Sequence, residues 1–134
     1  MQKINKTLYR VILLSLLSIF IIACSKGEQA RIPAQLWNDV IFKIETHPYP
    51  VRVGHNEIWL KATKTDGYPA STLIVWLRAN ESKQWVQSVQ DGHIGVFRRA
   101  VEVAENDTHL FVKLKRGQDE TILEFELPWK ELTE

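Results

Sequence analysis

The feature that most restricts the fold of this chain is an alternation of apolar and polar residues that begins at residue 40 and recurs up to residue 127. Successive side chains of an extended strand point to opposite faces, so a period of two predicts strands with one buried face. The clearest alternating segments are residues 40–45, 58–63, 109–115 and 121–127. Turn residues separate these segments, and the chain after residue 24 contains no convincing amphipathic helix.

Three further segments complete the set of predicted strands. Residues 73–77 are apolar on both faces, which favours a central strand, and residues 85–89 predict another strand. From 94 to 103 the alternation slips, because Arg99 falls on the apolar side. We therefore expect a β-bulge near Arg98 and Arg99 that restores the register.

Seven short strands at this spacing are typical of a β-sandwich or a barrel. We predict an all-β protein, an immunoglobulin-like β-sandwich of about seven antiparallel strands. The Asp66-Gly67 pair supplies positive φ for one turn, and Pro48 and Pro50 end the first long strand. The inter-sheet disulfide of antibody domains cannot form, because Cys24 is the only cysteine.

The first 23 residues have the layout of a secretory signal peptide. A basic stretch, residues 1–10, precedes an apolar run of 13 residues, 11–23, and polar sequence follows. A helix that crosses about 30 Å of hydrocarbon needs roughly 20 residues, so this run is too short for a comfortable permanent anchor. The alternative interpretation is a short transmembrane tether in which Cys24 plays no part.

The junction Ile21-Ile22-Ala23-Cys24 resembles the lipobox of bacterial lipoproteins, in which a small residue directly precedes the cysteine. The resemblance implies cleavage after Ala23, diacylglycerol on the sulfur of Cys24 and a third acyl chain on the new amino group. In that family, Ser25 goes with transfer to the outer membrane, so the protein is expected at its periplasmic face. The expected organisation is a lipoprotein signal peptide at 1–23, a lipidated tether at 24–35 and the sandwich domain at 36–134.

The charge of the mature chain argues against nucleic acid as a partner. Of the 17 basic and 16 acidic residues, Lys3, Lys6 and Arg10 lie in the signal peptide, which contains no acid. Cleavage would leave 14 basic residues out of 17 against all 16 acidic ones, a formal charge of −2. A slightly acidic body lacks the basic surface that binds a phosphate backbone.

Residues 53–114 resemble the small periplasmic β-sandwich group that includes FixH-like and YtkA-like domains. The resemblance is carried by VGHNEIWL at 53–60, DGYP at 66–69 and DGHIGVF at 91–97. It implies an envelope protein associated with metal-transporting or respiratory-oxidase assembly systems. The chain departs from the pattern at Asp107-Thr108-His109, where a glycine and a tryptophan would open the sixth strand.

No motif in the sequence demands catalysis, so we expect a protein that is not an enzyme and has no cofactor. There is no G-x-S-x-G elbow and no S-x-x-K, and the acid pairs fall in a turn and on an outward strand face. The histidines form no H-x-H or H-x₃-H pair, and the mature chain has no methionine that could bind Cu(I). We therefore expect no metal site at His47, His55, His93 or His109.

The five tryptophans are the remaining candidates for a functional role. Trp76 lies in the doubly apolar strand and is expected in the core. Trp59 has the parity of polar residues and should point away from the core. If Trp59 and Phe111 lie close together on outer faces, they would form an exposed aromatic patch that binds a partner. The alternative is that other segments cover these rings: residues 36–37, the 49–50 loop or Trp129.

Together these features predict a lipid-anchored bacterial protein that acts as a non-catalytic binding or assembly module in the periplasm. Its expected partners are the membrane, through the lipid on Cys24, and an envelope protein. The alternative is a metal-handling, copper-related protein or a respiratory-oxidase assembly accessory protein of the FixH-like or YtkA-like type. Stoichiometric binding of copper or zinc would distinguish the alternative from the leading prediction.

Overall fold

The computed structural model describes residues 32–129, which form nine antiparallel strands in two sheets. This part of the chain contains no helix, and so none that could cross a membrane. The predicted signal peptide, Cys24 and most of the predicted tether lie outside the described residues. The strands are β1 (Gln35–Trp37), β2 (Val40–His47), β3 (Gly54–Lys64), β4 (Ile74–Arg78), β5 (Val86–Gln87), β6 (Val89–Gln90), β7 (Val96–Val103), β8 (His109–Arg116) and β9 (Asp119–Glu126).

The strand order is that of an immunoglobulin-like sandwich, which confirms the predicted fold class. One sheet has the order β1-β2-β3-β7-β6, and the other has the order β5-β4-β8-β9. In immunoglobulin nomenclature, β2, β3, β7 and β6 correspond to strands A, B, E and D. The second sheet then corresponds to C′, C, F and G. The additional strand β1 pairs with β2 at the edge of the first sheet.

The core lies between the two sheets and is built from the inward-facing residues of the alternating segments. In β2 and β8 every second residue is buried, as the period of two predicts. Burying one such side chain stabilises the fold by about 1.5–3 kcal/mol. The largest fully buried side chains include Phe42, Ile58, Leu60, Leu77, Leu110, Leu114 and Phe125.

The segment at 85–89, predicted as one strand, is divided between the two sheets. Val86–Gln87 pairs with β4, whereas Val89–Gln90 pairs with β7. Between them, the buried Ser88 donates from both its N–H and its hydroxyl to the carbonyl oxygen of Val75, at 2.9 and 3.0 Å. The serine hydroxyl holds the chain at the point where it crosses from one sheet to the other, and a prediction from alternation alone could not show this crossing.

The predicted β-bulge at Arg98 and Arg99 is wrong, because β7 pairs with β3 in unbroken register. The pairing runs from Gly54 opposite Val103 to Lys61 opposite Val96 without an extra residue. Arg99 lies opposite the buried Ile58 and is nevertheless exposed. It lies beyond the end of β6, where the side of the sandwich is open, so its charge reaches solvent without a change of register.

A buried carboxylate holds the turn that precedes β8. The oxygens of Asp107 accept hydrogen bonds from the N–H of Ala104 at 2.8 Å, from Asn80 at 3.0 Å and from Lys83 at 3.2 Å. Burial alone would raise the pKa of Asp107, but these donors outweigh it and hold the pKa below its ordinary value. The indole N–H of Trp129 donates to the backbone oxygen of Asp107 at 2.7 Å, which fixes the end of the described chain to the same turn.

Candidate functional site

The most distinctive surface of the protein is the outer face of the β5-β4-β8-β9 sheet. Five half-buried side chains meet there, and we call them the aromatic–cation face: Trp76, Arg78, Trp85, Phe111 and Lys113. On β4 and β8 the neighbouring residues point inward and are buried, so the pleat places Trp76, Arg78, Phe111 and Lys113 on the opposite face. Trp85 joins them from the loop before β5.

Strand pairing determines which of these side chains meet. In the register of β4 with β8, Trp76 lies opposite Lys113 and Arg78 lies opposite Phe111. The ammonium nitrogen of Lys113 is 4.7 Å from the ring centre of Trp76 and 5.0 Å from that of Trp85. The guanidinium carbon of Arg78 is 4.1 Å from the ring centre of Trp85 and 5.8 Å from that of Phe111. Rings and cations therefore alternate along the face, each in cation–π distance of the next.

The two cations of this face have no acidic partner within residues 32–129. No carboxylate of that range lies within 4.0 Å of the charged groups of Arg78 or Lys113. Arg78 donates from Nη1 to the backbone oxygens of Glu81 at 2.9 Å and Lys83 at 3.4 Å, while its buried Nε has no hydrogen-bond partner. Within residues 32–129, both cations are therefore in contact with aromatic rings, and Arg78 also with two backbone oxygens, instead of with a carboxylate.

Exposed apolar side chains lie beside the aromatic–cation face. Ile74 is 42% exposed and Ile122 is 50% exposed. Ile122 lies opposite Lys113 in the pairing of β8 with β9, and the exposed Gln87 lies opposite Trp76 on the other side. The result is a continuous row across four strands that combines apolar contact area with unpaired positive charge, which suits non-covalent binding.

Trp59 lies on the outer face of the other sheet, as predicted, but other side chains cover its ring. The guanidinium carbon of Arg98 is 4.5 Å from the ring centre, and the His47 ring packs against it at 4.5 Å. Arg98 also donates to Glu57 at 2.6 and 2.9 Å and holds the pKa of that carboxyl below its ordinary value. This cluster has its charges paired, in contrast to the aromatic–cation face.

The structure does not bring Trp59 and Phe111 together. They lie on β3 and β8, on the outer faces of opposite sheets, so the shared patch that the sequence suggested does not exist. Of the residues suggested as covers, Trp37 and Trp129 pack against the core cluster. The cover consists of Arg98 and His47.

The prediction that Trp76 belongs to the core is also wrong. Val75 and Leu77 are the buried residues of β4, and Trp76 lies half-buried between them in sequence but on the outer face. The sequence did contain a sign that Trp76 faces outward. Arg78 lies two residues later in the same strand, so both side chains are on the same face, and a cation is expected on the side that faces solvent. The doubly apolar composition of 73–77 concealed that alternation.

The four histidines do not form a metal centre within the described part of the chain. No three side chains of His, Cys, Asp or Glu come together among residues 32–129. His47 packs on Trp59, and the ring of His109 lies 2.8 Å from the hydroxyl of Thr108. His55 and His93 are exposed.

None of the protein-family models, curated proteins and solved structures compared with this chain matches it.

Proposed function

We propose that this protein is a non-catalytic binding module of the bacterial envelope. It holds a protein partner on the aromatic–cation face, and a lipid on Cys24 tethers it to the periplasmic face of the outer membrane. The observation that carries the proposal is the contact of two cations, which have no acidic partner among residues 32–129, with three aromatic rings. Paired charges on a folded surface need no further partner, whereas these two remain available for one.

The composition of the face favours a protein as the ligand. Tryptophan and arginine dominate the residues that contribute most to protein–protein affinity, particularly where apolar residues surround them. Each ring of the face is half-buried and in contact with a cation, so little side-chain freedom remains to be lost on binding. Ile74 and Ile122 supply apolar area at the rim.

The N-terminal sequence supports the location. One acyl chain binds a membrane only marginally, at about 0.8 kcal/mol per buried CH₂, whereas two membrane signals already give stable anchoring. Three chains on Cys24 would keep the sandwich at the membrane surface permanently. The aromatic–cation face would then meet its partner within the envelope, at a high local concentration.

Site-specific photo-crosslinking in cells tests the proposal. A photoreactive amino acid at Gln87 or Ile122 samples the two ends of the row, and the same probe at Thr63, which is exposed on the other sheet, is the matched control. We expect one protein to be captured from both test positions and not from Thr63. Its capture should be lost when Lys113→Glu reverses the charge at the centre of the face.

Two results would contradict this proposal. Equal capture from Thr63 would show contact without a defined face, and unchanged capture in the Lys113→Glu protein would show that the cations take no part. If the captured protein is a component of a respiratory-oxidase assembly system, the FixH-like or YtkA-like resemblance of residues 53–114 is supported at the same time.

A further inference from the structure

A second surface lies along the outer edge of β7, and it shares one residue, Arg78, with the aromatic–cation face. Within the described range, β6 pairs only with Phe97 and Arg98, through Gln90 and Val89. The remainder of β7, from Arg99 to Val103, has β3 on one side and no strand on the other among residues 32–129. An unpaired strand edge is a template for the addition of another strand.

The backbone groups that point to this open side can be identified from two hydrogen bonds. The carbonyl oxygen of Val96 accepts from the N–H of Asp91 at 2.8 Å, and that of Glu102 accepts from Nζ of Lys83 at 2.9 Å. Both bonds lie on the side away from β3. Since the N–H and C=O of a residue point the same way and alternate along a strand, both groups of Ala100 and the N–H of Glu102 point there too. Neither residue has another backbone partner among the described loops.

A cleft of about 400 Å³ lies beside this edge, between β7 and β5. Its apolar wall is formed by Leu77, Val86 and Val101. Its basic side chains are Arg78, Lys83 and Arg99, of which Lys83 is paired with Asp107, and its acidic side chain is Glu102. Arg99 is exposed and has no carboxylate within 4.0 Å among residues 32–129.

We propose that this edge binds an extended acidic peptide segment of a partner protein, which adds as a strand to β7 and places a carboxylate against Arg99. Backbone hydrogen bonds to Ala100 and Glu102 would give affinity, and alternate side chains would enter the cleft. In the bound peptide, the residue opposite Arg99 is an acid and the residue opposite Val101 is apolar, and the side chains of both point into the cleft. The residue between them faces solvent.

The other edge of the sandwich selects against the same peptide. Strand β9 has an unpaired outer edge among the described residues and carries Asp119, Glu120, Glu124 and Glu126. An acidic strand would be repelled there and attracted at β7, because the two edges differ in the sign of their charge. Strand β9 of a second copy could not fill the cleft, since its inward side chains, such as Phe125, are buried in their own core.

The test uses the full chain in detergent micelles and a defined probe, the peptide acetyl-Thr-Ser-Thr-Val-Thr-Glu-Thr-Ser-amide, in which an antiparallel strand sets Glu opposite Arg99 and Val opposite Val101. Matched control peptides replace Glu by Lys, or replace the Thr between Glu and Val by Pro, which cannot pair as a strand. We expect the Glu peptide to shift the amide NMR signals of Ala100 and Glu102 and to slow their hydrogen exchange. Both control peptides should leave these signals unchanged.

A pair of protein variants distinguishes recognition of the peptide's charge from non-specific binding. Arg99→Glu should weaken binding of the Glu peptide about tenfold and create binding of the Lys peptide, because attraction turns into repulsion at an exposed site. Lys43→Glu, an exposed position on the outer face of β2, should change neither affinity.

Three outcomes would overturn the inference. The first is that the amide NMR signals of Ala100 and Glu102 do not shift at peptide concentrations up to about 1 mM. The second is that the Glu and Lys peptides bind equally well. The third is that the signals that shift belong only to β9 or to the aromatic–cation face. Each of them leaves the proposed function intact, because the crosslinking positions Gln87 and Ile122 lie on a different surface.

Discussion

The ammonium nitrogen of Lys113 lies 4.7 Å from the ring centre of Trp76, on the outer face of the four-stranded sheet. The contact joins residues from two strands that are far apart in the sequence and that become neighbours only through the pairing of β4 with β8. It makes Trp76 a surface residue with an ordered ring, although its strand is one of the most apolar segments of the chain.

The position of Trp76 on the outer face can be tested by comparing the loss of stability caused by its replacement with that caused by replacement of its neighbour Leu77. Trp76→Ala should lower the free energy of unfolding by about 1 kcal/mol, the scale of an exposed cation–π contact. Leu77→Ala, at a fully buried position one residue away, should lower it by about 2–5 kcal/mol. Urea denaturation of both variants measures the difference, and a larger loss for Trp76→Ala would place that ring in the core after all.

Gly95 is required where the chain enters β7. Its φ is 73°, and a Cβ atom there would lie 2.4 Å from the backbone oxygen of Ala62. Gly95→Ala should therefore destabilise the fold by about 3 kcal/mol, through strain and displacement of β3. Gly92→Ala is the matched control, because its φ of 60° carries similar strain but no atom lies within 4 Å of the added Cβ. We expect a loss of about 1 kcal/mol there, and equal losses in thermal denaturation would contradict the steric argument.

The buried carboxylate of Asp107 should be one of the most sensitive polar positions. Asp107→Asn removes the charge that Lys83 faces and replaces one of the two acceptor oxygens by an NH2 donor, which must meet either the N–H of Ala104 or the amide NH2 of Asn80. We expect a loss of about 2–3 kcal/mol in the free energy of unfolding. Asp91→Asn, which weakens an exposed ion pair with Arg98, should cost less than about 0.5 kcal/mol. Chemical denaturation at neutral pH compares the two, and similar losses would argue against the buried network.

The ionisation of Asp107 should make the free energy of unfolding depend on pH. The pKa of Asp107 lies below its unfolded value of 3.8, so the ionised form stabilises the fold above that pH. The contribution is lost as the pH falls through the lower, folded-state pKa. The stability difference between the natural chain and Asp107→Asn should therefore be constant above about pH 5 and shrink below about pH 4. A difference that persists undiminished at pH 2 would show that the charge of Asp107 is not what stabilises the turn.

The predicted lipid anchor has a direct chemical test. Cys24→Ala should abolish incorporation of labelled palmitate and leave a precursor that retains residues 1–23, because the thiol that accepts the lipid is gone. Ser25→Asp is the companion variant, expected to keep the label and to move the protein to the inner-membrane fraction. Continued labelling of the Cys24→Ala protein would refute lipidation at this residue.

Several features of the fold were predictable because they depend on local patterns. The alternation in β2, β3, β8 and β9 identified the strands and their buried faces, and Pro48 ended β2 directly after His47. The strand spacing indicated a sandwich or a barrel, and the immunoglobulin-like sandwich that we favoured is confirmed. Trp59 was placed on an outer face for the same reason, since its neighbours Ile58 and Leu60 are apolar.

The candidate sites were not predictable from these patterns. Phe111 was singled out, but its neighbours on the aromatic–cation face come from β4 and from Trp85 in the loop before β5. The solvent exposure of Arg99 depends on where β6 ends, and that in turn depends on the crossing at Ser88. Both features arise from contacts between segments distant in the chain, which no local period encodes.

The alternating pattern is enough to predict the all-β class and to separate inward from outward residues, and processing at Cys24 stays a prediction from the N-terminal motif. The pairing of distant strands, which places Lys113 between Trp76 and Trp85 and leaves Trp59 on the opposite sheet, is seen in the folded protein alone. This is because the pleat of a strand is a local property of the backbone, whereas the order of the strands depends on the packing of the whole core.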